Sequence, residues 1–357
     1  MKKTWGLLLI LLTVMVVTSC TSDKPESDKV VFLTDSSEIY DDGFNQSIWE
    51  GVQDFARDYN VECTNYVPQD MDEDTIKEIV SEAVSNQADV IVMAGSDYGR
   101  HLGVLQKEFE DVTFIAMDVP EENITSGLAD NTYVCSIKDE QAGYLAGYAS
   151  VAEGYTKLGF FGGKDITEIN RFGYGYIQGA DDAAIKCNTD IEIMYAYAGD
   201  FFASADSDIR MMQWYDDGTQ VVFACGGTIY TSVIKAALKS QGKMIGVDTD
   251  QHKVGEPYEY NPVITSAVKD YKTRVYEVLK MYHDDQFDRI GGSNQRLGLE
   301  DGDYVKLPQN EESWQFEQFT RDEYNEIVDS IVEGRINVSD SVENIPDVSE
   351  HTSIILP

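Results

Sequence analysis

The chain has 357 residues with 64 acidic against 27 basic side chains, a formal charge of −37, which excludes nucleic acid and anionic lipid head groups as preferred partners because both require a basic face. Single hydrophobic cores stop growing near ~250 to 300 residues, so a chain of this length is expected to form two lobes. Five cysteines without a C-x-x-C pair and four scattered histidines indicate neither a zinc site, nor a disulfide framework, nor a Ser-His-Asp arrangement; His101, His252, His283 and His351 read as surface or loop residues.

Lys2 and Lys3 precede the apolar run "WGLLLILLTVMVV" and then "TSC", the charged, apolar and small-residue parts of a secretory signal over residues 1–19, too short and too early to anchor the protein as a spanning helix. Val17-Thr18-Ser19-Cys20 resembles a bacterial lipobox. Cys20 is therefore expected to carry lipid and to hold the protein on the extracytoplasmic face of the cell membrane, with residues 20–28 as a polar tether.

Past the tether, "VVFLTD" reads as a strand and "DDGFNQSIWEGV" opens a helix whose apolar positions Ile48, Val52, Phe55, Ala56 and Tyr59 recur at helical spacing; Ile76, Ile79, Val80 and Ala83 mark the next. Strands follow at "ADVIVMAG" and "VTFIAMD", then the helix-like "DEQAGYLAGYASVAEG", then "KLGFFGG", "QVVFACGG" and "MIGVDTD". Near-continuous apolar strands alternating with helices predict an α/β fold of two Rossmann-like lobes, each with a parallel sheet covered on both faces. Residues 29–140 and 266–290 are expected in the first lobe and 141–265 in the second, with 291–357 packing on both. "VITSAVKDYKTRVYEVLKMY" reads as a return strand and helix, so the chain crosses between lobes more than once and forms a hinge.

What stands at the strand ends points to a site. Asp35, Gly95-Ser96-Asp97, Asp118, Gly162-Gly163, Gly226-Gly227, Asp248 and Asp250 all follow predicted strands, and open parallel sheets bind ligands outside the carboxyl ends of their strands. Phe44 and Asn45 stand at a helix N-terminus beside the first strand, where backbone N–H groups and a flat ring face the cleft together. Phe201 and Phe202 form a second aromatic feature, so a flat ligand held between two walls is expected.

"DDGFNQSIWEGV" resembles the D-x-S-F-N-Q-x-x-W-E-G signature of the basic membrane protein family, the purine-nucleoside receptor lipoproteins that serve ABC transporters, and "EQAGYLAGYASV", "RFGYGYIQGA", "CGGTIY", "MIGVDTDQ" and "ITSAVKD" continue the resemblance in order. It implies a periplasmic-binding-protein type I fold, a nucleoside ligand, an ABC permease as partner, a monomer, no cofactor or metal, and no catalysis. It further implies that Phe44 stacks on the base, with Phe201 or Phe202 as the second ring. Asp35 and Asp118 would accept hydrogen bonds from the base, Asp248 and Lys269 would hold the ribose hydroxyls, and Asn45, Phe172 and Gly226 would complete the pocket. The chain departs from the pattern at Asp42, Gly43 and Ile229, where lysine, serine and glycine are usual. A sugar or signalling-molecule receptor on the same architecture is the second reading. An enzyme such as a nucleoside hydrolase is the third, with only "DTD" in its favour, whose alternate residues point to opposite faces of an extended segment.

Overall fold

A computed structural model describes residues 28–35 and 38–356; the expected signal peptide, Cys20 and the tether up to residue 27 lie outside the described residues. The chain runs through β1 (Lys29–Leu33), α1 (Phe44–Tyr59), β2 (Glu62–Tyr66), α2 (Glu73–Ser85), β3 (Val90–Ala94), α3 (Leu102–Glu108), β4 (Thr113–Met117) and β5 (Thr132–Ile137). It continues through α4 (Asp139–Ala152), β6 (Lys157–Gly162), α5 (Thr167–Cys187), β7 (Ile191–Tyr197), α6 (Ala205–Asp216), β8 (Val221–Cys225), α7 (Tyr230–Ser240), β9 (Lys243–Asp248), α8 (His252–Gly255) and β10 (Val263–Lys269). The last part holds α9 (Tyr271–His283), β11 (Asn294–Leu297), β12 (Val305–Lys306), α10 (Arg321–Val332) and β13 (Thr352–Ile355).

Two sheets result, in the orders β11-β5-β4-β3-β1-β2 and β12-β10-β9-β8-β6-β7-β13. All pairings are parallel except the antiparallel β10–β12. Stripped of the late strands β11, β12 and β13, each half has one arrangement: its second strand at the edge, then the first, third, fourth and fifth. The chain crosses between halves after β5, after β10 and between β11 and β12.

The expected lobe boundary at 266 falls inside β10, whose whole length pairs with β9 in the second sheet. The crossing comes one residue past the strand, at Asp270, and of the expected 266–290 segment it is α9, not the strand, that returns to the first half, where it packs against α1. Residues 291–357 do more than lie on the lobes, since they supply a strand to the first sheet and two to the second.

Each strand has alternate faces buried in different cores, as a period of two requires. Val30 and Phe32 join a core that runs through both halves, whereas Val31 and Leu33 pack under the outer helices of the first. The helical positions Ile48, Val52, Phe55, Ile76, Val80 and Ala83 are buried. Asp72, Ser204 and Asp270 cap α2, α6 and α9 by accepting from backbone N–H groups, and Thr320 with Glu323 forms a capping box on α10. His101 departs from the surface reading: it is buried, with Nε2 at 2.9 Å from the Met71 carbonyl.

The helices α4 and α5 touch backbone to backbone. A Cβ on Gly143 or Gly147 would stand 2.0 Å from the carbonyl oxygens of Phe172 and Tyr176, and one on Gly175 or Gly179 would meet those of Glu140 and Tyr144 at 2.1 and 2.0 Å. Small residues one turn apart on each helix permit this approach. Together the two helices form the wall of the second lobe that carries Phe172.

Candidate functional site

A cavity of about 430 Å³ opens where the carboxyl ends of the two sheets face each other, within the size range of small-molecule sites. It is lined by all ten residues singled out in the sequence: Asp35, Phe44, Asn45 and Asp118 from the first half, and Phe172, Phe201, Phe202, Gly226, Asp248 and Lys269 from the second. Each arrives there for a local reason. Asp118 and Asp248 occupy matching places, at the carboxyl ends of the fourth strands of their halves, and both have left-handed backbone, with φ of 60° and 64°. Short polar side chains tolerate that conformation, and it turns both carboxyl groups toward the junction of the halves.

Lys269, the last residue of β10, is the centre of that junction. Its Nζ lies 2.6 Å from Asp139 Oδ1, 3.1 Å from Asp118 Oδ2 and 3.9 Å from Asp248 Oδ1. Tyr271 donates from its hydroxyl to Asp118 Oδ1 at 2.6 Å and accepts from the Ile137 N–H. Burial alone would depress the Lys269 ammonium, but Asp118, Asp139 and Asp248 together hold it well above the usual lysine value. The same burial pushes the Asp248 carboxyl up to about 7 against the pull of Lys269. The aromatic faces of Phe172, Tyr271 and Phe44 stand 5.0, 5.2 and 5.9 Å from Nζ, close enough for cation–π attraction.

At the mouth, Asp41 accepts from the backbone N–H groups of Gly43, Asn45 and Gln46 and so fixes the start of α1. Burial raises its carboxyl, and those three donors oppose the rise. Asn45 donates from Nδ2 to Asp35 at 3.2 Å. Phe44 is half-buried and meets Tyr271 edge to face at 5.6 Å. Opposite, the Phe201 ring lies on glycines: a Cβ on Gly163 would stand 2.4 Å from it and one on Gly226, where φ is 128°, 3.0 Å. These two glycines make the flat seat for the ring. Phe202 is 44% exposed.

The halves are also bridged at the rim. Asp42 accepts from the Tyr230 hydroxyl at 2.8 Å through Oδ2, and its carbonyl accepts from Thr249 and from Gln251 at 3.2 and 3.0 Å. Arg171 donates to Glu122 at 3.0 Å on α5's side of the cleft. Sequence reasoning missed three residues of this site. Asp139 and Glu168 stand in the first turns of α4 and α5, where an acid is ordinarily explained by the helix dipole, and Lys164, a second lysine on the cavity wall, lies 5.0 Å over the Phe201 ring. Among the described residues, eight acidic side chains and two lysines line the cavity. Among the described residues no group of three or more His, Cys, Asp or Glu side chains is arranged to hold a metal ion.

Comparison with known proteins gives a consistent result. The chain is 29% identical over 306 residues to the ABC transporter nucleoside-binding protein BmpA of Lactococcus lactis subsp. cremoris, covering 80% of this chain and 83% of the relative. It is 28% identical over 306 residues to basic membrane protein D of Borreliella burgdorferi, covering 85% of each. A solute-binding protein of an ABC transporter system from Aeropyrum pernix has the same fold, with a TM-score of 0.69 at 22% identity over 87% of each chain, so the expected type of architecture is the one observed. The model of the family described as ABC transporter substrate-binding protein, PnrA-like, matches residues 28–341, and the chain therefore belongs to that family of substrate-binding proteins, which are not enzymes.

Proposed function

We propose that the protein captures a nucleoside, a purine nucleoside by preference, between Phe44 and Phe201, and delivers it to an ABC permease as a monomeric lipoprotein held at the extracytoplasmic face of the membrane through Cys20. The observation that carries the reading is one cavity with an aromatic ring from each half and a carboxyl–ammonium cluster between them. A nucleoside matches both features. Its base offers two π-faces worth about 1 to 3 kcal/mol in stacking, and its N–H and ribose O–H groups offer donors to charged acceptors at about 1.5 to 3 kcal/mol each. Asp35 and Asp118 are assigned to the base, Asp248 and Lys269 to the ribose, and Asn45, Phe172 and Gly226 to the pocket wall. Phe201 rather than Phe202 is assigned the second face, because its ring is seated on Gly163 and Gly226 while Phe202 is largely exposed. Support also comes from the Lactococcus relative, which is named for nucleoside binding.

The test is mass spectrometry of the small molecule released by denaturing the purified protein, followed by calorimetric titration of the stripped protein with adenosine, guanosine, inosine, the matching monophosphates and free ribose. Nucleosides are expected to bind and the monophosphates to be rejected, since a phosphate adds nearly two negative charges to a cavity already lined by eight acids. A released sugar, or ribose binding as tightly as any nucleoside, would replace this reading with the sugar-receptor one.

A further inference from the structure

We propose that Glu168 reads the base of the bound nucleoside, its Oε1 accepting a hydrogen bond from a ring or amino N–H. The proposal rests on the nucleoside reading above and adds to it a residue that none of the sequence motifs marks.

Glu168 lies in the first turn of α5, lines the cavity and is only 7% exposed. Its Oε1 is buried and has no hydrogen-bond partner by distance and angle among the described residues, although Ser96 acts on its carboxyl as a side-chain donor. Two other buried acids of the cavity wall differ in this respect, while a third, Asp248, faces Lys269 at 3.9 Å, beyond hydrogen-bond reach. Asp118 holds Lys269 and Tyr271, and Asp41 holds three backbone N–H groups. A buried carboxyl oxygen left without a donor is costly, and that cost disappears when a ligand brings the donor with it.

The surroundings narrow the kind of donor. The start of a helix favours the negative form of an acid, and the charges acting on it include Asp118 and Lys269. Above neutral pH Glu168 therefore presents an acceptor, and a polarised N–H suits it. Phe172 follows it by four residues, on the same face of α5, and lines the same cavity. Glu168 thus stands beside an aromatic wall in a cavity that Ser96 and Asp118 of the first half also line. Burial and the neighbouring Asp118 push its carboxyl up to about 7, while its own backbone N–H, Ser96 and Lys269 work against the rise; a ligand donor would act in the same direction as those three.

The test pairs a variant with a ligand that lacks the donor. Purine riboside has the ring and the ribose of inosine and adenosine but no N–H on its base. Calorimetry at pH 8 would compare wild type with Glu168→Ala, which removes the acceptor, and with Glu168→Gln, which keeps a neutral amide acceptor and is expected to lose less, against adenosine, guanosine, inosine and purine riboside. The expected result for Glu168→Ala is a loss of about ten-fold or more for the tightest N–H-bearing nucleoside and a change within about two-fold for purine riboside, the mark of a direct pair in such a cycle. Equal losses for the two kinds of ligand would make Glu168 a structural or ribose-side group and overturn the proposal, as would no loss for either. Wild-type protein that binds none of the four would overturn the nucleoside reading and this proposal with it, an outcome told apart by the wild-type arm alone.

Discussion

Replacing Lys269 by methionine keeps the length of the side chain and removes the charge at the centre of the junction. At an effective dielectric of about 20, opposite charges at 2.6, 3.1 and 3.9 Å attract by about 6, 5 and 4 kcal/mol. Those gross attractions are offset by the burial of the ammonium, which is 2% exposed, and by repulsion among the three carboxylates it joins. Removing one member of a buried ion pair typically leaves a net cost of about 3 to 5 kcal/mol, because the remaining charges are buried without compensation. Lys269→Met is therefore expected to lower the unfolding free energy by that amount in urea titrations of the ligand-free protein at pH 8. At pH 5.5 the orphaned carboxyls take up protons, and the loss is expected to shrink. A loss below about 1 kcal/mol at pH 8, or an equal loss at both pH values, would refute the argument that Lys269 neutralises this cluster.

Other expectations follow from the same geometry. Phe44→Ala and Phe201→Ala should each weaken nucleoside binding by about 1 to 3 kcal/mol in calorimetry, and Phe202→Ala by less; a larger loss at Phe202 would exchange the roles of the neighbours. Asp248 has its carboxyl raised from 3.8 to about 7 by burial, so its contribution to stability is complete below the unfolded value and is lost as pH rises through the folded one. The melting temperature of the ligand-free protein should fall from pH 5.5 to pH 8 and fall less in Asp248→Asn, and a rise over that range would contradict the assignment. Tyr230→Phe removes the hydroxyl that reaches Asp42 across the rim and should weaken the closed form by about 0.5 to 1.5 kcal/mol, visible as a larger radius of gyration of the ligand-free protein in solution scattering; identical profiles would show that this contact does not hold the halves together. Cys20→Ala should move the protein out of the membrane fraction, and unchanged fractionation would count against lipid attachment.

The lining of the cavity was largely legible because many of its residues stand at the ends of strands that announce themselves. "VTFIAMD" and "MIGVDTD" are short apolar runs bounded by turn residues, read as strands and observed as strands, so Asp118 and Asp248 lie at carboxyl ends. Asp139 and Glu168 were not legible for the opposite reason: each begins a helix, where an acid needs no further explanation, and α4 is so thoroughly buried that little in its pattern distinguishes an inward face. The misplaced lobe boundary has a different cause. "VITSAVKDYKTRVYEVLKMY" is locally one strand and one helix, and which sheet accepts the strand is decided by pairing of β10 with β9, a choice between distant partners that periodicity does not encode. Strand β11, "NQRL", has no apolar alternation to reveal it and is held by its pairing with β5.

The backbone contact between α4 and α5 restricts how the molecule moves. Sliding of packed helices requires a layer of side chains that can exchange rotamers as the surfaces shift, and here carbonyl oxygens occupy the space where that layer would be. Sliding of α4 along α5 is thereby opposed. If the halves open to exchange the proposed ligand, the change falls to torsions in the connections near Lys138, Asp270 and the 298–304 segment rather than to repacking of α4 against α5.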